Sequence, residues 1–169
     1  GATVVNQPEY DRDIGKLLRT PAARHFLSIE PMLGAIDMRM GGASMPDYAE
    51  HRPLARLDWV ICGGESDRKA RPMHPDWAHS LRNQCEAAGV PFMFKQWGEW
   101  MPESAMTLAQ RMRDWGQFEC LFTKLDGSTH WIDPEDHTPF DASDVRMVKV
   151  GKKTAGRLLD GRTHDGFPA

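Results

Sequence analysis

The sequence predicts an α/β domain built on an open parallel sheet. Three observations lead there. Four short apolar runs, at Ala2 to Val5, His25 to Ile29, Asp58 to Cys62 and Pro91 to Phe94, have the length and composition of strands buried on both faces. Helical patterns separate the first run from the second and the third from the fourth. Each run also ends in polar, chemically capable residues: Asn6-Gln7, Glu30-Pro31, Gly63-Gly64-Glu65 and Lys95-Gln96-Trp97-Gly98. In parallel α/β folds, ligands and catalysis sit outside the carboxyl ends of the strands. Asn6, Glu30, Glu65 and Lys95 are therefore expected to converge on one face.

The elements follow in order. Residues 8–19 read as a helix with Pro8 in its first turn and Glu9 and Asp11 at its positive end. Tyr10, Ile14, Leu17 and Leu18 form one face, and Pro21 ends it. Residues 32–57 contain Gly41-Gly42, Pro46 and Pro53. They are expected to form an irregular crossover with one short turn near Asp47 to Arg52. The strand ending at Gly63-Gly64-Glu65 leads into a polar loop, Ser66 to Met73. A second helix begins at Pro75, with Asp76 at its positive end and Trp77, Leu81, Cys85 and Ala88 along one face. Gly89 stops it. Parallel neighbours joined this way make right-handed crossovers.

After Trp100 the pattern changes, so residues 1–100 are assigned to the parallel β/α part and 101–169 to a C-terminal extension packed on it. Thr107 to Arg113 reads as a short helix. Phe118 to Lys124 and Ser128 to Ile132 flank Asp126-Gly127, a hairpin turn signal. Asp133 to Asp144 reads as a loop, Val145 to Val150 as a strand, and Gly151 to Asp160 as a basic helix or loop.

The 169 residues suffice for one domain with a real core. A net charge of -3 and a pI of about 6.2 argue against a general nucleic-acid coat. No apolar run approaches the roughly 20 residues a membrane helix needs, and no signal-peptide pattern opens the chain. Three widely spaced cysteines, Cys62, Cys85 and Cys120, are no disulfide framework, so a cytoplasmic location is expected. Because the chain opens on Gly1 rather than Met and leads straight into a strand, its N-terminus is expected not to be a natural one: either a longer protein is cut here or Gly1-Ala2 is partly a foreign remnant.

The residue types at the strand ends set the candidate chemistry. Gly63-Gly64 allow close backbone approach, and Glu65 can accept from an amine or a hydroxyl. A solvated glutamate beside a tight turn would need the same residues. Pro31 holds Glu30 extended and so aims its carboxylate; the plainer use is an ion pair at the rim. Lys95 can neutralise an anion, Gln96 offers an amide, and Trp97 can stack on a ring or be core. Trp100 reads as structural. His74 and His79 have poor spacing for a metal, and Asp133, Glu135, Asp136 and His137 lack a calcium-loop pattern, so no metal site is assigned. Gly151-Lys152-Lys153-Thr154 fails the P-loop pattern, with Arg146 where a glycine belongs and Lys153 where Ser or Thr belongs. Lys149, Lys152, Lys153 and Arg157 nevertheless form a basic segment that could dock a nucleic acid. Cys62 and Cys85 read as inert core thiols.

Five stretches are distinctive together: Phe26 to Gly34, Asp58 to Ser66, Arg71 to Trp77, Pro91 to Trp100 and Gly151 to Arg162. They resemble a bacterial and phage family of uncharacterised proteins related to the radical S-adenosylmethionine enzymes. The resemblance runs from Val4 to Pro168. It implies the C-terminal half of an open, TIM-like (β/α) barrel with a small hairpin extension. It also implies S-adenosylmethionine and a [4Fe–4S] cluster as cofactors of the full-length protein. The three-cysteine ligand run of such enzymes is not in this chain, so none of its cysteines is expected to hold a cluster and the chain alone is expected to be inactive. Carried onto this sequence, the resemblance gives catalytic roles to Glu30, Glu65 and Lys95. It gives cofactor contacts to Asn6, Gly63 and Gly64, to which the residue types of Gln96 and Trp97 add an amide and a ring.

The expected function is thus the cofactor- and substrate-binding part of a radical-S-adenosylmethionine-like protein acting on a small molecule or nucleic acid. The alternative is a non-catalytic module that binds a nucleic acid or a protein through Lys149, Lys152, Lys153 and Arg157. A half barrel leaves open sheet edges, so pairing with the missing half or with a second copy as a dimer is expected, and no membrane partner.

Overall fold

A computed structural model describes residues 1–39, 53–113, 118–131 and 141–169. The fold is mixed α/β, with a four-stranded parallel sheet and a four-stranded antiparallel sheet. The parallel sheet contains β1 (Ala2–Thr3), β2 (Phe26–Ile29), β3 (Trp59–Gly63) and β4 (Phe92–Gln96), in that spatial order.

Helix α1 (Gln7–Arg19) connects β1 to β2. Its cap is reciprocal: Asn6 Oδ1 accepts from the Glu9 amide at 3.1 Å, and Glu9 Oε2 accepts from the Val5 amide at 3.0 Å. Tyr10, Ile14, Leu17 and Leu18 are its buried face, as the spacing predicts. Helix α2 (Pro75–Ala88) connects β3 to β4. Buried His74 caps it by accepting from the Asp76 amide, while its other ring nitrogen bonds the Ser143 carbonyl at 2.9 Å. Trp77, Leu81 and Cys85 are buried, but Ala88 is exposed, because the helix ends there and Gly89 turns away at φ 68°. The predicted turn near Asp47 to Arg52 lies outside the described residues; Leu54–Arg56 forms a single 3-10 turn.

The expectation of strands buried on both faces needs correction. Leu27, Ile29, Val60, Cys62, Phe92 and Phe94 face the helices and are buried. The other face carries the row Thr3, Ser28, Ile61 and Met93, aligned by register and only half-buried or exposed. Part of that face meets the C-terminal tail, where Trp59 Nε1 donates to the Gly166 carbonyl at 2.7 Å and its ring meets Phe167 edge-on. The tail also lies along β4, through Phe94 N to His164 O and Gly166 N to Phe92 O.

The second sheet is antiparallel, in the order β5 (Trp100–Pro102), β8 (Val145–Lys149), β6 (Cys120–Thr123), β7 (Thr129–Trp131). β6 and β7 are the expected hairpin, with Gly127 at φ 88° in its turn. Helix α3 (Leu108–Arg113) lies between β5 and β6 in the chain, and α4 (Lys152–Ala155) follows β8. The antiparallel sheet is tied to the parallel part by Trp77 Nε1 donating to the carbonyl of Leu125, in the β6–β7 turn, and by Trp100 Nε1, of β5, donating to Ala70 O. Residues 133–140 of the acidic loop lie outside the described residues. Among the described residues, no helix is long and apolar enough to cross a membrane.

Candidate functional site

The site is built at the carboxyl end of the parallel sheet. β3 and β4 slip register between Cys62 and Gly63: Cys62 pairs with Phe94, but Gly63 pairs with Gln96. Lys95 is the extra residue of the resulting bulge, a device that re-aims side chains at strand ends. Consequently two consecutive residues of β4 reach the same carboxylate. Lys95 Nζ lies 2.8 Å from Glu30 Oε2, and Gln96 Nε2 lies 2.8 Å from Glu30 Oε1.

Glu30 follows β2, so its side chain must pass over the end of β3 to meet β4. Gly63 is what lets it pass: a Cβ there would stand 3.1 Å from the Glu30 carboxyl. Gln96 Nε2 also donates to the Gly64 carbonyl at 3.1 Å. Its amide orientation is thereby set, since the flipped amide would turn its oxygen toward two other oxygens. Gln96 Oε1 is left buried with no partner among the described residues.

The parallel strands bring the ends that carry Asn6, Glu30, Glu65 and Lys95 to one edge of the sheet, and of these four side chains only Glu30 and Lys95 bond each other among the described residues. Asn6 is engaged as the cap of α1. Glu65 is held by Arg71 six residues on, through the guanidinium Nη2 at 2.7 Å and Nε at 2.9 Å and the Arg71 amide at 2.8 Å. That pairing keeps its carboxyl below the usual range. The sequence reading missed Arg71; a basic residue in the polar loop after the strand was the available signal.

The glycine pair serves close packing. A Cβ at Gly64 would stand 1.9 Å from the Trp97 carbonyl oxygen, and Gly98, at φ 88°, packs as tightly on Glu65. Trp97 itself is buried, its ring edge-on to Phe94 and its Nε1 donating to the Leu158 carbonyl at 2.8 Å. Of the basic segment, Lys149 is engaged elsewhere: it bonds Glu119 at 3.0 Å and Arg68 O at 3.1 Å and sits over the Trp100 ring. Lys152, Lys153 and Arg157 lie instead beside Lys95 and Gln96, around a pocket of about 440 Å³.

Another pocket, of about 530 Å³, is lined by Trp97, His79 and Asp160 and shares Gly156 with the first. On its wall His79 stands between Asp160 at 3.0 Å and Asp76 at 3.5 Å, and Arg82 also pairs with Asp160. Burial raises the Asp160 carboxyl, but Arg82 and His79 outweigh it and hold the group below its ordinary value. Sequence reasoning weighed His79 only as a metal ligand, and the Asp160 partner is remote in sequence.

Cys62 and Cys85 are buried free thiols, and Cys120 is half-buried. Burial pushes the Cys62 thiol up, and the Cys85 thiol up to about 12. Neither suits thiolate ligation of iron and sulfide. Among the described residues, no group of three or more His, Cys, Asp or Glu is placed to hold a metal ion. The expected acidic-loop residues Asp133, Glu135, Asp136 and His137 lie outside the described residues.

No curated protein and no solved structure matches the chain. A family model matches residues 1–168, and its description is a protein of unknown function, DUF5131.

Proposed function

The chain belongs to the DUF5131 family, whose description carries no activity, and we propose its function from the geometry. It is the cofactor- and substrate-binding part of a larger radical-S-adenosylmethionine-like enzyme, and its parallel sheet is one side of a partial (β/α) barrel. The consecutive parallel order β1-β2-β3-β4 suits that architecture. So does the half-covered face bearing Thr3, Ser28, Ile61 and Met93, since parallel sheets are covered on both faces in complete folds. A further segment, or a second copy, would cover that face or pair along β1.

The observation that carries the reading is the Glu30–Lys95–Gln96 cluster at the strand ends, with the unpartnered Gln96 Oε1 beside it. A carboxylate, an ammonium and a free amide oxygen suit the charged methionine end and the ribose hydroxyls of S-adenosylmethionine. When bound, and given one electron by the larger protein, that molecule would release methionine and supply a 5′-deoxyadenosyl radical. Glu30 would accept from the ligand ammonium, Lys95 would face its carboxylate, and Gln96 Oε1 would accept from a hydroxyl. The Gly63-Gly64 pair has no spare room, so it shapes the rim and does not cradle the ligand. The buried thiols of Cys62 and Cys85 do not fit an iron–sulfur cluster.

Equilibrium dialysis with S-adenosylmethionine tests the reading. Saturable binding to the chain, weakened about tenfold or more in Glu30→Gln by loss of a charge-assisted contact, is the expected result. No saturable binding, or binding that Glu30→Gln leaves unchanged, would overturn it.

A further inference from the structure

Four cations from two separate parts of the chain surround the end of β4. Lys95 comes from the bulge, Lys152 and Lys153 from α4, and Arg157 from the turn after it. Two of these charges are already matched, Lys95 by Glu30 and Arg157 by Asp165. Lys152 and Lys153 are exposed and form no ion pair or side-chain hydrogen bond among the described residues.

Their position is held firmly. The Trp97 amide donates to Gly156 O at 3.1 Å and its indole to Leu158 O, while the Gly151 amide donates to Glu99 O at 3.1 Å. The segment carrying the lysines is therefore fastened to the residues that follow β4 at both of its ends. Gln96 also lines the pocket, is 4% exposed, and keeps an acceptor with no donor among the described residues. A buried acceptor left unpaired costs stability and calls for an explanation. A ligand N–H or O–H supplies one.

We propose that this pocket binds a phosphate-bearing ligand of nucleotide size. Its phosphate lies on Lys152 and Lys153, and one of its hydrogen-bond donors lies on Gln96 Oε1. A phosphate monoester carries close to two negative charges at neutral pH, which the two unmatched ammoniums balance. The volume of about 440 Å³ falls within the range of small-molecule sites. Lysine meets phosphate as a compact point charge. The strand-end residues and the basic segment, which the sequence divides between alternative functions, become two walls of one site. The proposal rests on the preceding reading in taking this end of the sheet as the ligand side, and the two ligands compete for Gln96 Oε1, which serves whichever of them is bound. A free nucleotide and a nucleic-acid strand share the recognised chemistry.

The test uses calorimetry with inorganic phosphate and with adenosine monophosphate, and fluorescence anisotropy with a short single-stranded oligonucleotide at two salt concentrations. The proteins are the wild type, Lys152→Gln/Lys153→Gln, and Arg19→Gln as a control at the far end of α1. The nucleotide or the oligonucleotide is expected to bind, the double variant to weaken binding about tenfold or more, and the control to match the wild type. Adenosine monophosphate is expected to bind more tightly than inorganic phosphate, and Gln96→Met to remove that advantage. Should Gln96→Met not fold, the ratio of the two affinities in the wild type still decides the point, and equal affinities overturn the role of Gln96. An oligonucleotide bound far more tightly than the nucleotide, with a steep salt dependence, assigns the phosphate to a strand; the reverse order assigns it to a free nucleotide. Absence of binding by both, or a double variant that binds like the wild type, overturns the proposal. S-adenosylmethionine binding measured on the same samples keeps the two readings apart: if it persists while nucleotide and oligonucleotide fail, this inference alone falls.

Discussion

Glu30 and Lys95, 65 positions apart in sequence, close a 2.8 Å ion pair across the end of β3. The pair exists because Gly63 leaves the crossing open and because a bulge at Lys95 gives β4 one more residue than β3 there.

Glu30→Gln weakens both bonds to that carboxylate at once. The pair is partly exposed, with Lys95 about half open to solvent, so the expected stability loss is modest, about 1 kcal/mol. Lys95→Met, which removes the more exposed partner, is expected to cost less. Urea unfolding of both variants checks the order, and a Glu30→Gln protein as stable as the wild type would contradict the cluster's structural role.

Gly64→Ala should be among the most damaging single changes in the chain. Its Cβ would meet the Trp97 carbonyl oxygen at 1.9 Å, and that oxygen belongs to backbone that cannot rotate aside. A loss of about 3 kcal/mol is expected. Gly89→Ala provides the contrast: its φ of 68° strains any other residue, yet nothing lies within 4 Å of the added carbon, so about 1 kcal/mol is expected. Thermal unfolding of the two variants should rank them in that order.

Trp97→Phe keeps a ring against Phe94 but removes the donor to Leu158 O. About 1 kcal/mol of stability should be lost. The local effect should be larger, because the segment bearing Lys152 and Lys153 loses one of its fastenings. Tryptic cleavage after these lysines is the measurement, and it should be faster in the variant than in the wild type under native conditions.

The Glu65–Arg71 pair makes a pH prediction. Arg71 lowers the folded Glu65 carboxyl from its ordinary value of 4.5. A depressed carboxyl contributes stability that is complete above that ordinary value and is lost as pH falls through the lower folded one. Arg71→Gln should therefore be less stable than the wild type at neutral pH, with the gap narrowing in acid below 4.5. Chemical unfolding midpoints across about pH 7 to about pH 3 read it out. A gap that widens in acid would reverse the assigned sign.

Local pattern determined much of this protein. Strand runs, the buried face of α1, the proline and glycine limits of α2 and the Asp126-Gly127 hairpin are all short-range features, set by spacing and by backbone preference. That polar residues gather at strand ends was also legible, since a chain leaving a buried strand turns polar at once. Which of them meet was not. Asn6 went to a helix cap and Glu65 to Arg71, choices that depend on which donor each carboxylate or amide finds nearest. The half-covered sheet face could not be read either, because apolar runs look alike whether one face or both are covered. Only the tertiary structure set Lys152 and Lys153 beside Gln96, through Trp97 bonds to a segment some sixty residues on, beyond the reach of any spacing rule.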